Sequence, residues 1–588
     1  MSMESICKKN LFIFFVLLLM TVIFAFLLWD YLFSENNLNK KVFSKQEYSQ
    51  NYVSGVVPHH LVAKSIMEKF FVELSRENNP QTIILFSPDH FNAASIYENK
   101  LMTVNLSTTN IGNLVIDNQL LNTLSEINDF AFSDYVTKND HGVMNILPFI
   151  EQYFPNAKII PFLIPTNFPF DKTKKVVENL DEVLPDNSFI LSSVDWSHYL
   201  PNNAADFHDT KSIRVFLNFE EENFSNIEVD CPQCLYISRY FAKLRKADNY
   251  IKIDHKNSQD FSNSEILDST TSYFSVLFSK QKSTSEINDY PKTILFLGDI
   301  MLDRTVKELM EKNGLVYPIE KIRNFLKGVD VVVGNLEGPV VIDPVYTPDT
   351  SMKFNFGSEA LDLLSYAKIN LVSLANNHTL DRDRNGLTQT KEFLSRKNIN
   401  YFGDPINCLK ENIYTTDGMV FIGLNQTFPI NCTQEQIRKL IKDARQENSD
   451  DFIVVFIHWG EEYKSTSNAI QKELAHLIID SGADLIIGSH PHVVEEIEQY
   501  KGKLIFYSLG NFIFDQYFSK ETQEGLVVGL EITDSKTLVR LFPIGIYKSQ
   551  PYLFNNMDRV KFLENLSVKS PTIPKYQIIN GLIATEIP

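Results

Sequence analysis

Cysteine is scarce in this chain. Five residues in 588 (Cys7, Cys231, Cys234, Cys408 and Cys432) are too few and too scattered for a disulfide framework, and they leave the redox compartment open. Basic charge is also in deficit, with 55 Lys and Arg against 73 Asp and Glu and a formal net charge of −18. Nucleic-acid binding needs basic surface, so this balance argues against a nucleic-acid partner. An anionic substrate would need a local basic or metal-containing site to enter against that field. There is no internal repeat and no low-complexity segment. What is abundant is apolar: 44% hydrophobic and 12% aromatic residues, much of it Phe, ample for packed cores. The length implies roughly two to four domains.

Leu11 to Trp29 carries no charge and is long enough to cross a bilayer as a helix. A cleaved signal peptide is the rival reading, but no small-residue cleavage site follows the apolar core. Lys8 and Lys9 precede the run, whereas Asp30 and Glu35 follow it. The positive-inside rule then places both downstream domains outside the cytoplasm, at the cell membrane, although Lys40 and Lys41 weaken the bias. The expected organisation is a cytoplasmic tail over 1–10, a single-pass anchor over 11–29 and a polar spacer over 30–50. A first domain follows over 51–280, a linker over 281–291, a second domain over 292–548 and an extension over 549–588.

The second domain is organised around Ala483-Asp-Leu-Ile-Ile-Gly-Ser-His-Pro-His492. A short apolar run reads as a buried strand and ends in a glycine, after which His490 and His492 flank a stiff Pro491. The same grammar recurs at Asp299, at Asn335 and Glu337, at Asn377 and His378, at His458 and at Asn511. Continuous apolar runs predict strands covered on both faces, as in α/β sheets, whose strand ends gather functional groups. Six such ends predict one metal site. The plainer alternative is that each Asn or Asp only caps the next helix. The first domain repeats the plan at Val53 to His60, Thr82 to His90, Asp140-His141 and Phe189 to His198. Of twelve histidines, only His208, His255 and His476 fall outside these motifs.

Six ordered motifs of the second domain resemble the CapA family of capsule and poly-γ-glutamate biosynthesis proteins: Gly298 to Arg304, Asn335 to Pro339, Ala375 to His378, His458 to Tyr463, Gly488 to His492 and Ser508 to Phe512. The resemblance implies a calcineurin-like metallophosphoesterase fold, a four-layer sandwich of two sheets between helices. It places Asp299, Asn377, His378, His458, His490 and His492 on metal-site positions. Met301 stands where the phosphoesterase pattern has histidine, and the segment from Asn335 to Glu337 replaces a bridging aspartate. The first domain resembles the Memo-like family (AmmeMemoRadiSam system protein B) through Val57-Pro-His59, Ser87 to His90, Asp140-His141, Pro148-Phe149 and Ser192 to Tyr199. That family is similar in fold to extradiol dioxygenases, and its pocket would comprise His59, His90, His141, Asp195, His198 and a cysteine, with Cys231 preferred over Cys234. The Cys-x-x-Cys pair is alternatively a metal or redox-disulfide element and is treated as structural.

These resemblances imply two α/β domains and a role in synthesis or processing of an anionic surface polymer or its precursor. The expected cofactors are a divalent transition metal (Mn, Zn or Fe) in the second domain and Fe or Cu in the first. In the enzymatic reading His458 or His378 is the general acid or base and Glu461 or Glu462 orients it. The alternatives are a non-catalytic polymer-binding protein and metal-dependent redox chemistry in the Memo-like domain.

Overall fold

Apolar runs bounded by small or polar residues become buried strands throughout. The computed structural model describes residues 51–586 apart from 98–99, 127–128, 135–137, 264–265, 282–289, 429, 431 and 534–535. The expected anchor at Leu11 to Trp29 lies outside the described residues. Among the described residues no helix is long and apolar enough to cross a membrane.

The N-terminal half is built on an eleven-stranded mixed sheet. Its centre is four strands in the spatial order Tyr52–Val57, Ser188–Ser193, Thr82–Pro88 and Lys158–Ile164, each parallel to its neighbour. Both faces are covered, which is why Thr82–Pro88 and Ser188–Ser193 are buried along their whole length. Parallel pairing brings the C-terminal ends of three of these strands, followed by His59, His90 and Asp195, to one edge.

The C-terminal half stacks two sheets. One has nine strands and includes Lys292–Ile300, Val331–Leu336, Leu371–Ser373 and Asn511–Ile513. The other has six and includes Phe452–His458 and Leu485–Ser489 in parallel. Phe296, Val333 and Leu371 from the first meet Val454, Phe456, Leu485 and Ile487 from the second in a shared core. Ile437, Leu440, Leu474 and Ile478 on the helices Gln434–Glu447 and Ala469–Asp480 cover the outer face of the six-stranded sheet. Leu361 and Leu364 of the helix Glu359–Tyr366 pack on the outer face of the nine-stranded one. The result is a four-layer arrangement. The motif-free stretch after Tyr547 is a packed extension: Leu563, Leu566 and Ile578 enter the inter-sheet core, and Leu582–Glu586 pairs with Lys536–Tyr547.

All described residues belong to one compact unit, and one helix joins its halves. The helix Asn202–Asn218 places Ala204, Ala205 and Phe207 in the core of the nine-stranded sheet, and Ile213, Val215 and Phe216 in the core of the N-terminal half. Three of its polar side chains reach across the seam. Arg214 grips Asp330 with two bonds of 2.8 Å, Lys211 Nζ donates to Val329 O (2.8 Å), and His208 Nε2 donates to Phe325 O (2.7 Å). Cys231 and Cys234 take the disulfide alternative, so Cys231 is not the expected pocket thiol, and Cys408–Cys432 is a disulfide that the sequence reading did not foresee.

Candidate metal centres

Two glycines let the C-terminal strand ends converge. A Cβ on Gly298 would lie 1.9 Å from Gly510 O, and one on Gly488 equally close to Tyr507 O, so only glycine permits these crossings. The first crossing sets Asp299 beside Asn511, and the second sets Ser489 at the end of its strand beside His458. His490 and His492 then both adopt left-handed backbone, with φ of 98° and 58°. Such conformations cost of order 1–3 kcal/mol each and persist where surrounding structure enforces them.

The side chains so placed form one connected group. Asn335 Nδ2 donates to Asp299 Oδ1 at 2.8 Å and lies 3.3 Å from both Glu337 Oε2 and His458 Nδ1. Asn377 Oδ1 accepts from His458 Nε2 (2.8 Å), and Asn511 Oδ1 accepts from His492 Nδ1 (3.0 Å). The backbone N–H of His490 donates to Asp299 Oδ2 (3.2 Å). His378 Nδ1 donates to Asp381 Oδ2 (2.8 Å). With those protons assigned by the hydrogen-bond network, His378 Nε2 and His492 Nε2 are left as bare lone pairs, each 3.8 Å from Glu337 Oε1. Ligand atoms of Asp299, Glu337 and His458 lie within 4.8 Å of one another.

The electrostatics are compatible with a bound divalent cation. Burial first, then the charge on Asp299, drives the Glu337 carboxyl well above the usual carboxylate range. Burial and the neighbouring histidines hold His458 well below its usual value and His490 at about 4. Glu337 Oε1 and His490 Nδ1 are buried without a hydrogen-bond partner. Unpaired buried acceptors are costly, and a divalent cation satisfies a set of carboxylates and neutral imidazoles together. The residues present therefore fit such an ion.

Asp299, Asn335, Glu337, Asn377, His378, His458, His490 and His492 thus meet in one place. Glu461 stands apart. It is exposed, whereas Glu462 is the carboxylate whose charge acts on Glu337 and His490. The carboxylate that orients His378 is Asp381, which sequence reasoning missed. Asn376 is another omission, donating to Asn335 Oδ1 and Leu336 O (both 2.9 Å). Met301, at the position where the phosphoesterase pattern has histidine, is buried and accepts from Asp303 N through sulfur.

The N-terminal half carries a second cluster. Ser193 Oγ donates to Gly142 O and accepts from His59 Nδ1 (3.1 Å), so His59 Nε2 is bare. Asp140 accepts from His90 Nδ1 (2.8 Å), so His90 Nε2 is bare as well. The two bare nitrogens lie 3.2 Å apart, with Asp195 and Asp230 carboxylate oxygens 3.5 and 3.4 Å from the former. Two facing lone pairs repel unless a cation lies between them, and histidines backed by a serine and a carboxylate are oriented as metal ligands are. His141 completes a triad with His59 and His90, their ligand atoms within 4.8 Å. Burial lowers the pKa of His59, His141 and His198 and raises those of Asp195 and, more strongly, Asp230. His198 feels the charges of Asp195 and His90 but is not one of that triad. Cys231 is bonded to Cys234 and caps the helix Pro232–Leu244, its sulfur accepting from Cys234 N, so no free thiol enters the pocket. The adjacent Asp230, which sequence reasoning missed, has its carboxylate by His59.

Comparison with known proteins agrees with this division. The family model described as bacterial capsule synthesis protein PGA_cap matches residues 293–516, and that of Memo-like protein matches 34–276. The capsule biosynthesis protein CapA of Bacillus anthracis is 31% identical over 284 residues, 44% of this chain and 68% of that protein. The PGA biosynthesis protein CapA of Bacillus subtilis is 29% identical, over 47% of this chain and 78% of its own length. A MEMO1 family protein of Caldivirga maquilingensis is 24% identical over 32% of this chain and 68% of its own. The chain belongs to the CapA capsule-synthesis family through its C-terminal domain, which is fused to a Memo-like domain.

Proposed function

We propose that the C-terminal domain is a metal-dependent, hydrolase-like centre that processes an anionic surface polymer or its precursor, held at the outer face of the cell membrane by residues 11–29. The observation that carries the reading is the set of bare acceptors around Glu337: His378 Nε2 and His492 Nε2 both face its unpartnered Oε1. Asp299, Glu337, His458, His490 and His492 would hold a Mn, Zn or Fe ion, with Asn335 and Asn377 fixing the first three. Such an ion polarises a substrate oxygen and lowers the pKa of water. His378 is the acid–base group, because Asp381 fixes its tautomer and leaves Nε2 to exchange a proton with the substrate. His458 has both nitrogens hydrogen-bonded, Nδ1 to Ser489 and Nε2 to Asn377, so it would hold the ion only by giving up one of these bonds.

The test is hydrolysis of a generic phosphodiester by the purified full chain with added manganese. Turnover supports the reading. Saturable polymer binding with no turnover on any phosphodiester or polymer offered would leave the non-catalytic alternative standing.

A second reading concerns the Memo-like domain and rests on its own geometry. The facing nitrogens of His59 and His90, with His141, Asp195 and Asp230 around them, suit one Fe or Cu ion and metal-dependent redox chemistry. Metal analysis of the purified full chain tests it.

A further inference from the structure

A cavity of about 310 Å³ opens at the seam between the two domains, away from both histidine clusters. The first domain supplies Lys211 to its wall, and the second supplies Lys327, Lys368 and Lys397. Four lysines around one small cavity are unexpected in a chain of net charge −18. Asp330 is the only carboxylate in the lining among the described residues, and both of its oxygens are engaged. Arg214 takes both of its oxygens, and the N–H and hydroxyl of Thr293 take further positions on Oδ2. The remaining polar lining is amide and hydroxyl.

The lysines are unevenly satisfied. Lys327 pairs with Glu228 and Lys397 with Asp362, outside the cavity lining. Lys368 has no ion pair among the described residues. Lys211 is only 4% exposed, yet its one hydrogen bond is to a backbone carbonyl. An ammonium buried in that way normally finds a carboxylate or an anion. Burial, the largest influence on Lys211, pulls its pKa down, and the nearby charges of Asp330 and Glu228 offset it only in part. The cavity therefore offers ammonium and amide donors, and its one lining carboxylate is already paired with Arg214.

We infer that this seam cavity is an anion-binding site for a ligand with two or more charged oxygens, which bridges the Memo-like and CapA-type domains. Charge-assisted bonds to several ammonium groups give such a ligand its affinity, and walls of low dielectric concentrate the field. Because the walls come from both domains, occupancy reinforces their contact. The charged oxygens belong either to a phosphate group or to neighbouring carboxylates.

The experiment is calorimetric titration of the full chain with inorganic pyrophosphate and, separately, with citrate, each against KCl of equal ionic strength. Saturable binding of pyrophosphate alone assigns the site to phosphate, and binding of citrate as well extends it to carboxylates. Either outcome supports the site provided that Lys368→Gln/Lys397→Gln, which alters two exposed side chains, weakens binding tenfold or more. The His490→Ala/His492→Ala variant should keep the parent affinity. No saturable binding of either probe beyond the KCl control overturns the inference. So does binding that survives the lysine replacements, or that disappears with the two histidines.

Discussion

Asp381 Oδ2 accepts two hydrogen bonds, from His378 Nδ1 at 2.8 Å and from the backbone N–H of Phe354 at 2.7 Å. The second bond anchors the carboxylate, and the first fixes the imidazole with Nε2 toward Glu337. Phe354 also lies over the His378 ring, with centroids 4.3 Å apart, so that the ring is held in both orientation and tautomer.

Replacing Asp381 by Asn should therefore damage turnover more than binding. We expect kcat for phosphodiester hydrolysis to fall roughly 10²-fold, the usual size of a general acid–base contribution. Metal content and KM should change little. A variant that loses its metal together with its activity would make Asp381 a structural support and not an orienting group.

Metal and stability should be linked at the C-terminal centre. Buried Glu337 and His490 lack partners without a cation, so chelation of the full chain should lower the thermal midpoint. At saturating metal the stabilisation should be ~2–4 kcal/mol. The His490→Ala/His492→Ala variant should show much less of this response. Equal responses of parent and variant would show that these histidines are not ligands.

In the Memo-like domain, His90→Ala should remove about one equivalent of transition metal from the full chain and leave the fold intact. His90 follows its strand and contributes little to the core. Its Nε2 is one half of the facing pair with His59. Unchanged metal stoichiometry would count against the cluster.

His208 makes a pH prediction with a definite sign. Burial holds its pKa at about 4, against 6.5 for the free side chain. The unfolded chain thus takes up a proton first as the pH falls. This group costs nothing above about pH 6.5, erodes stability from there down to about pH 4, and adds no further loss below. The full loss is about 3 kcal/mol. Urea midpoints measured between pH 4 and 7 should fall less steeply for His208→Gln than for the parent. Parallel profiles would place the acid sensitivity elsewhere.

Much of the candidate site's geometry was legible in the sequence, because each ligand-type residue ends a continuous apolar run and parallel pairing gathers such ends. Asp299, His458 and His490 were visible for that reason. The residues that orient them were not. Asp381 follows His378 by three positions in a turn, and an aspartate there is indistinguishable in sequence from a helix cap. Asp140 sits in a motif but reads as the N-cap of a short helix, which it also is, its side chain accepting from Gly142 N. Asp230 lies after a polar loop with no periodicity to place it. Glu461 and Glu462 are adjacent, and only the backbone course after His458 decides which faces inward. The helix Asn202–Asn218 was the least legible element. Its His208, Lys211 and Arg214 look like a solvated face, whereas each is buried against the other domain.

That helix has a consequence for any attempt to take the molecule apart. Phe207 lies against Phe542, with ring centroids 5.6 Å apart, and beside the backbone of Gly529. A fragment beginning at Pro291 would leave that surface open to water, with the guanidinium gone from Asp330 and the imidazole gone from Phe325. Its complement would display Phe207 and an unmatched Arg214. Cutting the backbone between Lys280 and Pro291 in the folded protein should yield two polypeptides that still co-purify. Expressed alone, the same pieces should aggregate or be retained by chaperones. Heredity can shuffle two such sequences freely only before a shared helix has made each the other's missing wall.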